Sequence, residues 1–201
     1  MAIIGSSESG KSTIIKLINR FYDVYKGEIL IDNINIKDYN LYELRKRIGY
    51  MSEEPVLFKR SIYENILYGK LDSSKEEVFD AAHKASIGDF VLDKVNIDDN
   101  LTSQGQKQRI NIARIFLKNP DIFLLENITS SLDKDNEKII RNSVSQFQQG
   151  KTLIFVTHSL NIITNYDMIY FMDKGKIIEQ GTHDQLLQRK GKYYNLYHVY
   201  Y

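Results

Sequence analysis

The sequence has 201 residues, a formal net charge of +1 and no cysteine. A charge this close to zero gives no electrostatic reason to expect a nucleic-acid partner, so none is expected. The missing thiols exclude disulfides and thiolate catalysis. No apolar run approaches the ~18 residues that a membrane-spanning helix needs, and the length suits one large or two small domains.

The first element combines an apolar run, Met1–Ile4, with the pattern G-x-x-x-x-G-K-[ST] and an apolar-periodic segment that reaches Arg20. This order predicts a strand, a phosphate-binding loop and a helix. The glycines allow a tight turn whose N–H groups face an anion, and the helix adds the positive end of its dipole. Lys11 would reach the β- and γ-phosphates, and the Ser12 hydroxyl would ligate Mg²⁺. The predicted nucleotide-binding residues are Gly5, Ser6, Ser7, Glu8, Ser9, Gly10, Lys11, Ser12 and Thr13.

The next stretch of the chain alternates short strands and helices. A strand with a turn is expected within Gly27–Ile36, a basic helix over Leu41–Arg47 and a strand over Ile48–Met51. Residues 58–100 carry no strand signal, which indicates a helical insertion. Its predicted parts are helices over Ser61–Tyr68 and Ser74–Ala85 and a polar loop over Asp93–Asn100.

The second half of the chain adds the rest of an α/β fold. Fully apolar runs at Ile122–Leu125 and Thr152–Val156 are typical of strands buried on both faces. Strand and helix alternate after the phosphate loop, so a mainly parallel sheet flanked by helices is predicted. The remaining predictions are helices over Gln106–Leu117 and Asp135–Gln149, a hairpin of Met168–Met172 with Lys176–Gln180, and a helical, aromatic tail from His183.

Five segments resemble one family. The sequence IGYMSEEPVLF spans Ile48–Phe58, QKQRINIAR spans Gln106–Arg114, and IFLLENITSSLD spans Ile122–Asp133. Two shorter segments, Thr157–Leu160 and Ile178–His183, follow in the same order. Together with the phosphate loop they resemble the nucleotide-binding domain of an ATP-binding cassette (ABC) transporter of exporter type, over nearly the whole chain.

The resemblance implies a fold, cofactors and partners. It implies a RecA-like P-loop NTPase core in two parts, residues 1–57 and 106–201, with a helical subdomain at 58–105. ATP and Mg²⁺ would be the cofactors. A second nucleotide-binding domain would complete a dimeric ATP sandwich, as a homodimer or, preferably, a heterodimer. The transmembrane domain of an exporter would place the chain at the cytoplasmic face of a membrane.

The resemblance also implies roles for two residues that depart from the family pattern. Counting back from Asp133, the position of the Asp that supports Mg²⁺ is occupied by Glu126, and that of the catalytic Glu by Asn127. An amide cannot accept a proton from water at neutral pH, so slow hydrolysis is expected. A register slip that makes Glu126 the base is the alternative, and it would leave the metal without its Asp.

Further site residues follow from the resemblance. Glu53 stands where the family has Gln, so it is a candidate for both catalysis and metal binding. His158 would report the γ-phosphate, although a strand-end histidine without a catalytic role is the alternative. The catalytic candidates are therefore Asn127, His158 and Glu53, and the metal ligands Ser12, Glu126 and Glu53. The family's signature corresponds to Thr102–Gln106, and its residues Ser103, Gln104, Gly105 and Gln106 would cover the partner's nucleotide.

Two alternatives to transport remain open at this point. The departures at Glu126 and Asn127 are also compatible with a nucleotide-gated regulatory module that does not hydrolyse ATP. A soluble ABC-type ATPase that acts outside transport is the other, and the near-neutral charge argues against its action on nucleic acid. Only Met1–Ile4 precede the loop, so either the sequence is part of a longer chain or adenine is held without an upstream aromatic ring.

Overall fold

The computed structural model describes residues 1–88, 103–130, 132–147 and 149–200. Among them, six strands form one sheet and two short strands form a hairpin. The strands are β1 (Ala2–Gly5), β2 (Leu30–Ile31), β3 (Ile34–Asn35), β4 (Ile48–Met51), β5 (Ile122–Glu126), β6 (Thr152–Val156), β7 (Ile169–Asp173) and β8 (Lys176–Gly181).

The large sheet has the strand order β4-β5-β6-β1-β7-β8. The first five of these strands run parallel, and β8 pairs antiparallel with β7 at one edge. The mainly parallel α/β fold is thus confirmed. Because β1, β5 and β6 are neighbours in a parallel sheet, the residues that follow their carboxyl ends meet at one edge. That edge carries the phosphate loop and the other candidate residues that follow these strands.

Helices cover both faces of the sheet. They are α1 (Lys11–Ile18), α2 (Leu41–Arg47), α3 (Ile62–Leu67), α4 (Lys75–Lys84), α5 (Gln104–Lys118), α6 (Lys134–Phe147), α7 (His183–Arg189) and α8 (Lys192–Tyr200), with a 3₁₀ turn at Leu160–Ile162. None of the helices in the described part of the chain has the length and apolar character needed to cross a membrane.

The strand pleat divides the core into two layers. On β5, Phe123 and Leu125 pack into one hydrophobic cluster, whereas Ile122 and Leu124 pack into the other. The first cluster collects side chains from α3 to α8, and the second collects those from α1, α2 and the β2–β3 hairpin. The alternation explains why the strand is apolar at every position, because both of its faces are buried.

Local sequence signals account for most element boundaries. Asn40 caps α2, and the helices α3, α4, α5 and α7 each begin with a capping box, in which two otherwise unpaired N–H groups are satisfied. The strand with a turn predicted within Gly27–Ile36 is a hairpin of two short strands, β2 and β3, since Asp32 and Asn33 adopt the left-handed conformation that a tight turn needs.

The helical insertion is only partly within the described residues. Helices α3 and α4 pack against α5, which joins them to the rest of the fold. Helix α5 begins at Gln104, two residues before the predicted start, because the Ser103 capping box sets its first turn. The predicted division at residue 105 therefore lies inside a helix, and the three-part division stays a prediction. The predicted loop at Asp93–Asn100 lies outside the described residues.

Candidate functional site

The phosphate loop, defined as Gly5–Thr13, turns sharply between β1 and α1. Gly5 has a φ of 151°, and a Cβ atom there would lie 2.1 Å from the Met172 carbonyl oxygen. Gly10 has a φ of 98° and precedes α1 without a side-chain cap. The first N–H groups of a helix have no partner within the helix, so these groups are available to bind an anion.

Lys11 is folded back onto the same loop. Its ammonium group donates to the Gly5 carbonyl at 3.0 Å, the Ser6 carbonyl at 2.7 Å and the Ser9 hydroxyl at 3.3 Å. The residue is 5% exposed, and burial lowers the pKa of its ammonium group. A phosphate group at the loop would offset this burial penalty, because an opposite charge favours the charged form of the lysine.

The β7–β8 turn supports the loop from one side. The Gly175 N–H donates to the Ser9 carbonyl at 3.0 Å, and Ser9 itself is 2% exposed. The loop residues Ser6, Ser7, Glu8 and Thr13 are exposed, and Ser12 is half-buried at the start of α1. The predicted nucleotide-binding residues of the loop therefore lie together, with their backbone fixed by the neighbouring hairpin turn.

Glu126 is the last residue of β5 and pairs in register with Val156 of β6. Its Oε2 atom accepts a hydrogen bond from the Tyr50 hydroxyl at 2.8 Å. Burial and this carboxylate both raise the pKa of the Tyr50 hydroxyl, so the tyrosine stays a donor. Glu126 is therefore a carboxylate held in one orientation at the carboxyl end of its strand.

Asn127 follows Glu126 in a left-handed conformation, with a φ of 48°. Its N–H donates to the Val156 carbonyl at 2.8 Å, which continues the β5–β6 ladder by one bond. Its side-chain amide donates from Nδ2 to Glu53 Oε2 at 3.2 Å. The Oδ1 atom of the same amide is buried, and within the described part of the chain it has no hydrogen-bond partner.

Glu53 connects the segment after β4 to the segment after β5. The Ser130 hydroxyl lies 2.6 Å from Glu53 Oε1 and 2.9 Å from the Asn127 carbonyl oxygen. Glu53, Asn127 and Ser130 are called the Glu53 cluster below. The structure thus brings two of the three catalytic candidates, Glu53 and Asn127, into direct contact.

The backbone of Glu53 and of the segment that follows it is attached to α5. The buried Gln108 side chain donates to the Glu53 carbonyl at 2.6 Å. Arg114 donates to the Val56 carbonyl at 2.5 Å and to the Asn65 carbonyl at 2.6 Å. Burial lowers the pKa of the Arg114 guanidinium to about 10. These bonds fix the path of the segment from Glu53 to α3 relative to helix α5.

His158, the third catalytic candidate, lies two residues after the end of β6 and is exposed. Partial desolvation of the ring lowers its pKa, the positive charge of Lys11 lowers it further, and the negative charge of Glu53 opposes the shift. Both charges therefore act on the same imidazole. This places His158 within electrostatic range of the phosphate loop and of the Glu53 cluster.

The residues Ser103–Gln106 form the first turn of α5. Ser103 and Gln106 cap the helix reciprocally: Gln106 N–H donates to the Ser103 hydroxyl at 3.2 Å, and Ser103 N–H donates to Gln106 Oε1 at 2.9 Å. Gly105 is packed so closely on Asn136 that a Cβ atom would lie 2.6 Å from Oδ1. This turn is packed on α6 through Gly105 and Asn136, whereas the phosphate loop contacts the β7–β8 turn.

The candidate metal ligands have the chemistry that Mg²⁺ prefers. Ser12 offers a hydroxyl, and Glu126 and Glu53 offer carboxylates, which are all hard oxygen donors. In the described residues no group of three or more His, Cys, Asp and Glu forms a metal cage. Mg²⁺ is usually bound through one or two carboxylates together with phosphate oxygens and water.

Three contributors to the site were absent from the sequence predictions. Tyr50 orients Glu126, Ser130 holds Glu53, and Gln108 fixes the Glu53 backbone. The sequence does contain a signal for Tyr50. It places a ring with a polar hydroxyl in β4, the strand next to β5, on one of the two faces of the sheet. Ser130 and Gln108 each lie more than fifty residues from Glu53 in the sequence, so a local sequence pattern does not link them to it.

The comparisons with known proteins agree with this geometry. A family model described as "ABC transporter" matches residues 1–130. The chain is 42% identical over 204 residues to leptomycin B resistance protein pmd1 of Schizosaccharomyces pombe. The matched region covers 98% of this chain and 15% of that protein. It is 42% identical over 206 residues to a putative multidrug export ATP-binding/permease protein of Staphylococcus aureus, covering 99% and 36% respectively.

A solved structure is similar in shape as well. The structure titled as a bacterial Atm1-family ABC exporter with ATP bound matches with a TM-score of 0.92 and 37% sequence identity. The match covers 98% of this chain and 36% of that one. The chain thus spans about a third or less of the length of these relatives and corresponds to one domain within them.

Proposed function

This chain belongs to the ABC transporter family as an ATP-binding domain of exporter type, and we propose that it couples MgATP binding and hydrolysis to export through a membrane domain. The supporting observation is the phosphate loop. Uncapped helix N–H groups and a buried lysine converge there on one small volume. This arrangement suits a triphosphate, whose charge both groups would neutralise.

Mg²⁺ would bind between the phosphates and the edge of the sheet. The Ser12 hydroxyl at the start of α1 and the Glu126 carboxylate at the end of β5 are the ligands that we assign to it. The Tyr50 hydrogen bond keeps Glu126 oriented, although its side chain is one methylene longer than an aspartate. The ion would neutralise phosphate charge.

The site of this chain is proposed to hydrolyse ATP slowly. Asn127 follows the metal-side carboxylate, and its amide cannot act as a general base. Loss of a positioned base reduces a rate by about 10²–10⁴-fold. The same observation supports a second candidate function, a module that responds to bound ATP without turnover, and trapping of unhydrolysed ATP would favour it.

The partners are proposed to be a second nucleotide-binding domain and a transmembrane domain. The first turn of α5, Ser103–Gln106, is packed on α6 through Gly105 and Asn136, and we propose that it covers the partner's nucleotide. A heterodimer would supply an intact catalytic residue to the other site. Exposed Val56 and Phe58 lie in the segment tied to α5, and they would contact the membrane domain at its cytoplasmic side.

The test is isothermal titration calorimetry of MgATP into the folded 201-residue chain. We expect saturable binding that Lys11→Ala weakens by about 100-fold, since a charged hydrogen bond to a phosphate contributes about 1.5–3 kcal/mol. Lys16→Ala is the matched control, because Lys16 is an exposed lysine on the same helix. Equal binding by both variants would contradict the proposed role of Lys11.

A further inference from the structure

The proposed ATPase function leaves open which group orients the attacking water when Asn127 cannot act as a base. Resting on that function, we propose that Glu53 and Asn127 work as one carboxylate–amide pair. In this pair Asn127 and Ser130 hold the Glu53 carboxylate in place, and Glu53 positions the water that attacks the terminal phosphate. The negative charge of the hydrolysis site then comes from the segment after β4 instead of the end of β5.

Hydrogen-bond donors from two residues point toward the Glu53 carboxylate. Asn127 Nδ2 donates to Glu53 Oε2, and the Ser130 hydroxyl reaches Glu53 Oε1, so each carboxylate oxygen has a donor within 3.2 Å. An amide at position 127 can provide such a donor, whereas a carboxylate there would face a second carboxylate at the same distance. Like charges this close strongly disfavour each other.

Hydrogen bonds fix the backbones of Glu53 and Asn127 before any substrate arrives. Gln108 holds the Glu53 carbonyl at 2.6 Å, and Asn127 is bonded through its N–H to Val156 at 2.8 Å. A charge held by such bonds needs no reorganisation during the reaction, which is the general basis of electrostatic preorganisation. Glu126 is already held by Tyr50, so the two carboxylates at this edge have different partners.

The pair follows the carboxyl ends of β4 and β5, at the sheet edge that also carries the phosphate loop after β1. His158 follows β6, which lies between β5 and β1, and its pKa is lowered by the charge of Lys11 and raised by that of Glu53. The buried Asn127 Oδ1 has no donor among the described residues, and a buried acceptor without a donor is unfavourable. A water admitted next to Glu53 would supply that donor.

The reaction itself is the ordinary hydrolysis of ATP. The water oxygen forms a bond to the terminal phosphorus, and the bond between that phosphorus and the bridging oxygen breaks. The electron pair of the broken bond leaves with ADP, and the protons of the water remain with the released phosphate or pass to solvent. Glu53 contributes by accepting a hydrogen bond from the water in the attacking orientation.

The pair is tested with a double-mutant cycle of Glu53→Gln, Asn127→Glu and the combined variant. Asn127→Glu alone should lower the melting temperature by about 2–4 °C, because two carboxylates then face each other. The combined variant should regain most of that loss, since donor and acceptor are merely exchanged. Additive effects on the melting temperature, with no recovery in the combined variant, would overturn the pair.

Turnover provides the second readout. Glu53→Gln should reduce MgATP hydrolysis by about 10²-fold while calorimetric ATP affinity changes by less than about threefold. The combined variant should hydrolyse faster than Asn127→Glu alone, which is measurable even if wild-type turnover is below detection. Glu54→Gln is the matched control, because it removes the adjacent exposed carboxylate.

The outcomes separate this proposal from the proposed function. If Glu53→Gln hydrolyses as fast as Glu54→Gln, or if the combined variant is no faster than Asn127→Glu, the positioning role is wrong. If the chain fails to bind MgATP by calorimetry, the ATPase function fails instead. The melting-temperature cycle then still decides whether the two side chains act as a pair.

Discussion

The phosphate loop and the Glu53 cluster lie at the same edge of the sheet, yet they are built from different parts of the chain. The loop consists of main-chain groups and one lysine, and its turn is contacted by Gly175 and Met172. The cluster consists of three side chains brought together from two loops. The first region depends on backbone shape, and the second on which side chain carries the charge.

This difference explains how the two regions tolerate change. A backbone nest accepts any side chain that points outward, as Ser6, Ser7 and Glu8 do, but it does not accept a Cβ atom at Gly5. A side-chain cluster can move a charge from one position to another as long as each donor keeps an acceptor. Binding of phosphate and hydrolysis should therefore respond to mutation independently.

The largest expected effect is that of Gly5→Ala, which tests the phosphate loop. The added Cβ would lie 2.1 Å from the Met172 carbonyl in a conformation with positive φ. Overpacking and backbone strain each cost about 1–3 kcal/mol, so we expect a loss of about 4 kcal/mol in unfolding free energy. Chemical denaturation provides the measurement.

Gly27→Ala is the matched control for the glycine prediction. Gly27 also has a positive φ, 77°, but no atom of the described residues lies within 4 Å of a Cβ at that position. Gly27→Ala should lose only about 1–2 kcal/mol of unfolding free energy, which is the cost of holding an alanine at a positive φ. If both variants lose the same unfolding free energy, the close approach of the Met172 carbonyl is not the reason that position 5 requires glycine.

The next effect is at the first turn of α5, which is proposed to act on the partner's nucleotide. Ser103→Ala removes one half of a capping box and should cost about 1 kcal/mol in stability. Ser74→Ala makes the same change in the capping box of α4 and should cost the same. Thermal unfolding of the two variants checks this equality.

The two serine variants should differ when MgATP drives dimerisation. Sedimentation velocity is expected to show a weaker ATP-dependent dimer for Ser103→Ala and an unchanged one for Ser74→Ala. A dimer weakened equally in both would mean that the cap contributes only to folding, and that the proposed contact with the partner's phosphate loop is wrong.

The smallest expected effect concerns His158, which is in electrostatic range of both regions. Its pKa is lowered in the folded chain, so the unfolded chain binds the proton more readily. Stability should therefore fall as the pH drops through the unfolded value of about 6.5. Melting temperatures at pH 7.5 and 5.5 should show a smaller loss for His158→Gln than for the wild type.

His198→Gln on α8 is the control for the pH prediction, because His198 is an exposed histidine on a terminal helix. It should leave the pH dependence of the wild type in place. An identical loss in the wild type and in His158→Gln would show that His158 does not sense the charges around it.

Much of the fold follows from local signals in the sequence. The helix at Leu41–Arg47 and the strands at Ile48–Met51 and Thr152–Val156 match the predicted bounds, since apolar periodicity and capping residues agree there. The start of α5 was predicted too late, because the Ser103 capping box extends the helix into the segment treated as signature loop. Helix ends depend on such side-chain bonds, which periodicity does not reveal.

The phosphate loop was easier to predict from the sequence than the Glu53 cluster. The phosphate loop was recognisable because its residues are contiguous and its glycines have one physical function. The Glu53 cluster was not, since the contact between Glu53 and Asn127 exists only after β4 and β5 become neighbours. The sequence indicated that Glu53 and Asn127 both depart from the family pattern. That the amide of one holds the carboxylate of the other depends on tertiary structure.

We propose that the phosphate loop recognises the phosphate chain of the nucleotide. The most direct measurement is competition against MgATP binding in calorimetry, with magnesium tripolyphosphate and adenosine as competitors. We expect tripolyphosphate to displace ATP and adenosine to compete at least 100-fold more weakly, because the main-chain amides and Lys11 bind charge. Displacement by adenosine without displacement by tripolyphosphate would contradict the account.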